Sequence, residues 1–266
     1  MYSPKTIYRV ARTRKELEGA FSLVYKEYLR KGYIPKDYRS RIRISLFNAS
    51  PLSTTFVAIQ GKRVVAGVTL VPDSPLGIPM DKIYKREVDN LREQGRRVAE
   101  VSQLAIATDL FGEGFFSMFN FKKLIFVFRL FKCVLDYAMD VEKLTDLCIA
   151  INPKQQNLYK FLYFEQFGGL KYYGSVNHAP AVAFRLNLEG AQERARSKKG
   201  LYKIFFGEKT NHQLFEKKVK LNQQDLEYLF VKKSEIFEKA TKEQLDLIKG
   251  SYPLYDIDRM LIKTRY

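Results

Sequence analysis

A buried strand, a glycine-bearing turn, a long apolar helix and a second buried strand follow one another between residues 98 and 152. The strands at 98–107 and 146–152 are short and largely apolar, as buried strands are. The helix between them, at 115–140, is rich in Phe and Leu. A helix in this position is a crossover that brings two strands side by side. The segment therefore predicts two central strands of a sheet and the helix that connects them.

The flanking segments predict a mixed sheet around this centre. A short strand at residues 7–10 precedes a helix that Thr13 caps, with Glu16 in capping-box register. The further predicted elements are a hairpin (54–59 and 63–71), helices at 83–94 and 155–164, and a late strand at 179–188. This order predicts an α/β (α+β) fold with a mixed, mostly antiparallel central sheet flanked by helices.

The composition and the residue pattern of the chain change after Leu188. The segments that follow are highly charged and helical in pattern, and they contain no obvious strand. We therefore predict a domain boundary near residue 190, with a sheet domain at 1–189 and a basic helical extension at 190–266.

Charge and apolar pattern restrict the classes of partner and location. The formal net charge of +17 favours an acidic partner: nucleic acid, an anionic membrane or an acidic protein. No signal sequence or uninterrupted membrane-spanning stretch is evident, which predicts a soluble cytoplasmic protein and leaves peripheral membrane contact open. Cys133 and Cys148 lie in apolar segments and predict buried thiols, without a disulfide or a metal site.

Several segments spread over residues 21–188 carry a family resemblance. They include the loop PDSPLGIPMD, the Glu-Val-Ser strand that follows it, the segment DLCIAINPKQQNLYKFLYFEQFG and the late strand APAVAFRLNL. Together they resemble the FeeM-like N-acyl amino acid synthases of the GNAT acyltransferase superfamily, which are related to the acyl-homoserine-lactone autoinducer synthases. The resemblance implies a GNAT-like sheet and transfer of a fatty acyl chain from acyl carrier protein to the α-amine of an amino acid. It does not cover residues 190–266.

The resemblance and the strand pattern together select three candidate catalytic residues. Glu100 lies among apolar strand neighbours, so its pKa should be raised, which suits a general base near neutral pH. Ser102 lies on the same strand face, because side chains alternate with period two, and is a candidate for positioning a water or the amine. Tyr159 occupies the place of the GNAT tyrosine that protonates the departing thiolate, although the usual Tyr…Gly-Phe ending is Tyr163-Phe164 here. Ordinary structural roles remain the alternative for all three.

The turn after the central strand bears on the acyl donor. CoA-dependent GNAT proteins hold a pyrophosphate on the backbone of a glycine turn, and the first residue of the turn motif has a basic or amide side chain. Here Gly112 and Gly114 keep the spacing, but Asp109 stands in place of the basic or amide residue and Glu113 adds a second carboxylate. This pattern disfavours free acyl-CoA and favours a carrier-borne phosphopantetheine. The residues expected to bind the phosphopantetheine arm are Leu104, Ile106, Gly112 and Gly114.

A basic surface is the expected docking site for acyl carrier protein, which is acidic. Its candidate residues are Arg30, Lys31, Arg39, Arg41, Arg43, Lys122 and Lys123. The aromatic helix at 115–140 is either ordinary core or one wall of an acyl-chain tunnel. No tightly bound cofactor is expected; the acyl-phosphopantetheine itself is the donor.

Two other classes of function remain open from the sequence. One is a CoA-dependent N-acyltransferase or an autoinducer synthase, although no separate signal for S-adenosylmethionine is evident. The other is a non-enzymatic basic module that binds RNA or an anionic membrane, with residues 200–220 as its best candidate segment. Nucleic acid is the least favoured of these partners.

Overall fold

A computed structural model describes residues 5–36, 40–110, 121–208 and 211–262, with the side chains of 110, 121–125, 175 and 262 outside the description. Its sheet has seven strands in the order β1-β2-β3-β4-β5-β7-β6. The strands are β1 (Thr6–Val10), β2 (Thr54–Gln60), β3 (Arg63–Pro72), β4 (Val98–Ile106), β5 (Asp146–Ile151), β6 (Glu165–Tyr173) and β7 (Ala179–Asn187). The helices are α1 (Arg14–Arg30), α2 (Asp81–Glu93), α3 (Phe121–Asp136), α4 (Gln156–Phe161), α5 (Ala191–Arg196), α6 (Lys199–Phe205), α7 (Gln223–Glu227), α8 (Lys242–Ser251) and α9 (Ile257–Ile262).

The central strands β4 and β5 are parallel, and the other neighbouring strands pair antiparallel. The predicted mixed, mostly antiparallel sheet flanked by helices is confirmed. The parallel pairing is short: Val98–Glu100 of β4 meets Asp146–Cys148 of β5, and the strands then diverge. This divergence opens a gap in the middle of the sheet.

Strand β6 was not predicted. Its sequence, EQFGGLKYY, contains two adjacent glycines and shows no clean alternation of apolar and polar residues. It lies at the edge of the sheet, so much of it stays exposed and burial imposes little pattern on it. The preceding helix, expected at 155–164, is shorter than predicted, because α4 ends at Phe161.

Helix α1 begins as predicted, but without a reciprocal capping box. The Thr13 hydroxyl accepts a hydrogen bond from the Glu16 N–H at 3.2 Å. The Glu16 carboxylate, however, accepts from the Arg12 N–H and from the Arg9 guanidinium, each at 2.8 Å. Arg9, on β1, therefore ties the first turn of the helix to the sheet and lowers the pKa of Glu16.

Three apolar clusters form the core. Phe56 and Val57 are neighbours on β2 and contribute to different clusters, the first with α3 and the second with α1 and the extension. The third cluster lies around Tyr84 of α2. Cys133 and Cys148 are buried as predicted, and burial raises the pKa of both thiols.

Residues after 190 pack closely against the sheet domain. Leu201 and Phe205 of α6 join the cluster around α3, while Leu226 and Phe230 join the cluster around α1. The predicted boundary near residue 190 stays a prediction. Among the described residues, no helix is both long enough and apolar enough to span a bilayer.

Gly168 of β6 provides a test of this packing. A Cβ at this position would lie 2.8 Å from the Ala183 Cβ and 2.8 Å from the Tyr84 Cδ1. Tyr84 is fully buried, and its hydroxyl lies within hydrogen-bond distance of the carbonyls of Ala181, at 2.7 Å, and Gly169, at 2.9 Å, so it has little freedom to move. We expect Gly168→Ala to lower the free energy of unfolding by about 1–3 kcal/mol.

Gly169→Ala is the matched control for this substitution. A Cβ at Gly169 would meet no heavy atom within 4 Å. Urea unfolding of both variants gives the comparison, and equal stabilities would contradict the close contact at Gly168.

Candidate active site

The divergence of β4 and β5 creates a cleft with two adjoining cavities. They share Glu100 and Ser102 of β4 and the segment 150–152 at the end of β5, and their volumes are about 180 and 170 Å³. We call the first the cation cavity, because Arg43 and Lys82 line it. The second is the aromatic cavity; its lining includes Val127, Phe131, Leu158 and Tyr159. A carboxylate shared by two cavities can meet reactants that enter from both.

A bulge in β4 shapes the cleft. Thr69 pairs with Ser102 and Gly67 pairs with Ala105, so β4 carries one more residue than β3 between these pairs. Gln103 sits at the bulge with a left-handed φ of 56°. Its Oε1 accepts from the Asn48 Nδ2 at 2.9 Å, and its Nε2 donates to the Arg43 carbonyl at 3.3 Å. Sequence reasoning missed this bulge, since no glycine marks it.

Glu100 is a buried carboxyl group, with 4% of its surface exposed. Desolvation raises its pKa to about 8, and the nearby Asp81 adds to the shift. Hydrogen bonds from the Met80 N–H, at 2.5 Å, and from Ser102 oppose the shift, as does the charge of Lys82. The direction agrees with the expectation from the sequence. Such a carboxyl group can take up or release a proton near neutral pH.

The loop that presents Met80 is fixed by Arg92 of α2. The Arg92 guanidinium forms ion pairs with Asp73, Asp81 and Asp89 at 2.6–2.7 Å. Asp81 also accepts a hydrogen bond from the Ile78 N–H at 2.8 Å, which closes the loop before α2. This network was not predicted, because its members are up to 19 residues apart and each resembles an ordinary surface charge.

Tyr159 and Ser102 both reach the cleft. Tyr159 lies on α4, lines the aromatic cavity and rests edge-on against Phe164, with ring centroids 5.5 Å apart. Desolvation and the neighbouring Tyr28 raise the pKa of Tyr159 to about 12, so the phenol keeps its proton at neutral pH. Tyr28 lines both cavities, and the sequence did not suggest it as a site residue.

The candidate donor-binding residues fall in different places. Leu104 lines the aromatic cavity. The Ile106 side chain is buried in the core, so only the backbone of Ile106 could contact a donor. Gly112, Gly114 and Glu113 lie outside the described residues. Asp109 forms an ion pair with Arg63 at 2.7 Å. The charge of Asp109 is therefore partly compensated, so this carboxylate repels a pyrophosphate less than the sequence alone suggests.

The predicted basic residues also separate into groups. Lys31 lines the aromatic cavity and Arg43 the cation cavity. Arg30 pairs with Glu27 at 2.9 Å, and Arg41 is exposed. Arg39 and the side chains of Lys122 and Lys123 lie outside the description. Within the described part of the chain, no group of three His, Cys, Asp or Glu residues is placed to hold a metal ion.

Comparisons with known proteins assign the family. The family model "N-acyl amino acid synthase FeeM" matches residues 19–187. The solved structure of FeeM, an N-acyl amino acid synthase from uncultured soil microbes, is 32% identical, with a TM-score of 0.60, over 72% of this chain and 94% of that chain.

More distant structures include two acyl-homoserine-lactone (AHL) synthases. The AHL synthase LasI is 15% identical, with a TM-score of 0.49, over 71% of this chain and 94% of that chain. The CoA-dependent synthase MesI is 15% identical, with a TM-score of 0.49, over 77% of this chain and 97% of that chain. No curated protein matches. From the family model and the likeness to FeeM, the chain belongs to the FeeM family of N-acyl amino acid synthases and is an N-acyltransferase with a GNAT-like fold.

Proposed function

We propose that the protein transfers a fatty acyl group from acyl carrier protein to the α-amine of an amino acid. The observation that carries this proposal is the position of Glu100. Its buried carboxyl group lies where a cavity with cationic side chains meets a cavity with apolar and aromatic side chains. An amino acid suits the first cavity and an acyl thioester suits the second.

The cation cavity fits an amino acid that enters with its carboxylate toward Arg43 and Lys82. Desolvation and the charge of Arg43 lower the pKa of Lys82, which indicates that the two cations act on each other. An anion between them would relieve that repulsion. With its carboxylate held there, the α-amine would face Glu100.

The proposed reaction uses Glu100 and Tyr159 for its proton transfers. Glu100 takes a proton from the substrate ammonium, directly or through a water, and the free amine attacks the thioester carbonyl carbon. The carbon–sulfur bond breaks as the tetrahedral intermediate collapses, which forms the amide. The departing thiolate takes the proton of the Tyr159 phenol. The nitrogen of the new amide gives up its second proton to the Tyr159 phenolate, directly or through a water, which restores the phenol. Backbone N–H groups of β4 beyond Glu100, where β4 and β5 are no longer paired, are candidates to stabilise the oxyanion.

The basic excess of the chain supports acyl carrier protein as the donor, because that partner is acidic. Lys31 and Arg43 line the cleft, and Arg41 is exposed in sequence between them. A CoA thioester is the alternative donor, and the Asp109–Arg63 ion pair favours it, since the charge at Asp109 is compensated. Membership of a synthase family favours an enzyme over a binding module.

A transfer assay with matched substrates tests both parts of the proposal. We expect amide formation, measured by mass spectrometry, to be at least tenfold faster from acyl carrier protein than from the CoA thioester of the same chain. We expect an amino acid to react with a kcat/KM roughly tenfold or more above that of its decarboxylated amine, because a charge-assisted contact is lost. Arg43→Gln should erase most of that preference.

The outcomes separate the two assignments. Faster transfer from CoA would overturn the donor, and equal use of the amine would overturn the carboxylate contact. Arg86→Gln, a change of the same kind at an exposed position of α2, is the control for the loss of one positive charge. The amine also controls for folding, because a damaged protein would lose activity toward both acceptors.

A further inference from the structure

A further cavity lies where the extension meets the sheet domain. Its volume is about 310 Å³, which exceeds that of either cavity of the cleft. Leu17 and Phe21 of α1 line it together with residues from the segments 48–55 and 218–221. Among the described residues, its lining shares no member with the cleft. Lys220 lines it and is exposed, so it opens to solvent. We call this space the interface cavity.

The extension is held firmly against this cavity. The Val219 N–H donates to the Ala11 carbonyl at 2.9 Å, and the Tyr252 hydroxyl donates to the Ala49 carbonyl at 2.7 Å. The Tyr252 ring stacks on Tyr255, with centroids 5.4 Å apart and planes inclined by 16°, and both residues line the cavity. These contacts fix both walls, so the cavity is formed by the fold itself.

Lys218 places a positive charge in this cavity. Its ammonium donates to the Pro51 carbonyl at 2.8 Å and to the Leu52 carbonyl at 3.3 Å, and an ammonium has a further N–H to offer. Within the described part of the chain, no carboxylate forms an ion pair with it. Desolvation lowers the pKa of Lys218 to about 8, and the charge of Glu142 opposes the shift. A carboxylate in the cavity would compensate this partly desolvated charge.

We propose that the interface cavity binds a small carboxylate with an apolar body of about eight carbon atoms. The carboxylate accepts a hydrogen bond from Lys218. The apolar body packs against Leu17, Phe21 and Leu221, which are buried side chains of the lining. An apolar cavity of about 150 Å³ holds one benzene molecule, so about twice that volume suits about ten to twelve non-hydrogen atoms, as in octanoate. The site lies outside the cleft, so the inference does not depend on the proposed acyl transfer.

A fluorescent reporter in the cavity wall tests the proposal. The chain contains no tryptophan, so Tyr255→Trp introduces a single indole, and its emission should change saturably as octanoate is added. In this background we expect Lys218→Gln to raise the Kd of octanoate about tenfold or more, because a hydrogen bond between charged groups is lost. Lys218→Arg keeps the charge and should retain most of the affinity. Lys217→Gln removes a charge from the adjacent exposed position and should change the Kd less than about twofold, because solvent screens that charge.

A neutral analogue gives a test that needs no change at Lys218. Octan-1-ol has the chain length of octanoate without its charge and should bind about tenfold more weakly or worse. Equal binding of the two, unchanged octanoate binding in Lys218→Gln, or tighter binding of inorganic phosphate would overturn the proposal. Calorimetry of the chain with its native Tyr255 guards against a silent reporter. If octanoate gives no heat there that Lys218→Gln removes and Lys217→Gln retains, the cavity is not a carboxylate site.

Discussion

We expect Glu100→Gln to lower kcat for amide formation by about 10²–10⁴-fold, because a general base contributes that much to a rate. The amide oxygen of the new side chain can still accept the Met80 N–H hydrogen bond, so the local structure is retained. In the proposed mechanism, the variant loses the ability to take a proton from the substrate ammonium. Steady-state kinetics with saturating donor and acceptor measures the effect.

The pH profile gives the sharper form of this result. In the wild type, kcat/KM should rise as pH increases through about 8, because the base must be deprotonated and desolvation raises its pKa to that value. In Glu100→Gln the residual activity should lack this step. Glu93→Gln makes the same chemical change at an exposed position at the end of α2 and should leave both rate and profile intact. If Glu100→Gln keeps the wild-type kcat, Glu100 is not the general base.

We also expect Glu100→Gln to stabilise the protein at alkaline pH. The pKa of Glu100 rises from an ordinary 4.5 to about 8 on folding, so the folded state binds the proton more tightly than the unfolded state does. The resulting stability is fully present below pH 4.5 and is lost as pH rises through about 8. At pH 9 the Glu100 carboxylate of the wild type is charged and buried, which lowers the free energy of unfolding. The shift of the pKa sets an upper limit of about 5 kcal/mol on this loss.

Denaturant unfolding at pH 5 and pH 9 measures this cost. We expect Glu100→Gln to match the wild type within about 1 kcal/mol at pH 5 and to exceed it by about 2–4 kcal/mol at pH 9. The neutral amide avoids the desolvation of a charge at either pH. If the difference between the two proteins is the same at both pH values, Glu100 does not titrate as the structure indicates.

The sequence predicted the centre of the sheet well because burial imposes a strong pattern there. Glu100 and Ser102 could be assigned to one face of the central strand, since alternation holds up to Ser102. The edge strand β6 lacks such a pattern and was missed. The raised pKa of Glu100 was also predictable, because a carboxyl group between apolar strand residues is desolvated whatever the details.

Interactions between distant residues were the part that the sequence did not reveal. The bulge at Gln103 depends on Asn48, 55 residues away, and the ion pair of Asp109 depends on Arg63, 46 residues away. Neither partner is distinctive by itself. The expectation for the donor treated the charge of Asp109 as unpaired, and its partner Arg63 could be identified only from the folded chain.

The short pairing of β4 with β5 divides the sheet into two halves, β1 to β4 and β5 to β7, which are joined only at Val98–Glu100 and Asp146–Cys148. Arg96 reinforces this junction: its guanidinium pairs with Asp146 and Glu189, each at 2.5 Å, and donates to the Asn187 side chain at 3.0 Å. The angle between the two halves is thus fixed at residues that line neither cavity of the cleft. The spacing between Glu100 on β4 and residues 150–152 at the end of β5 is therefore governed by charges that line neither cavity.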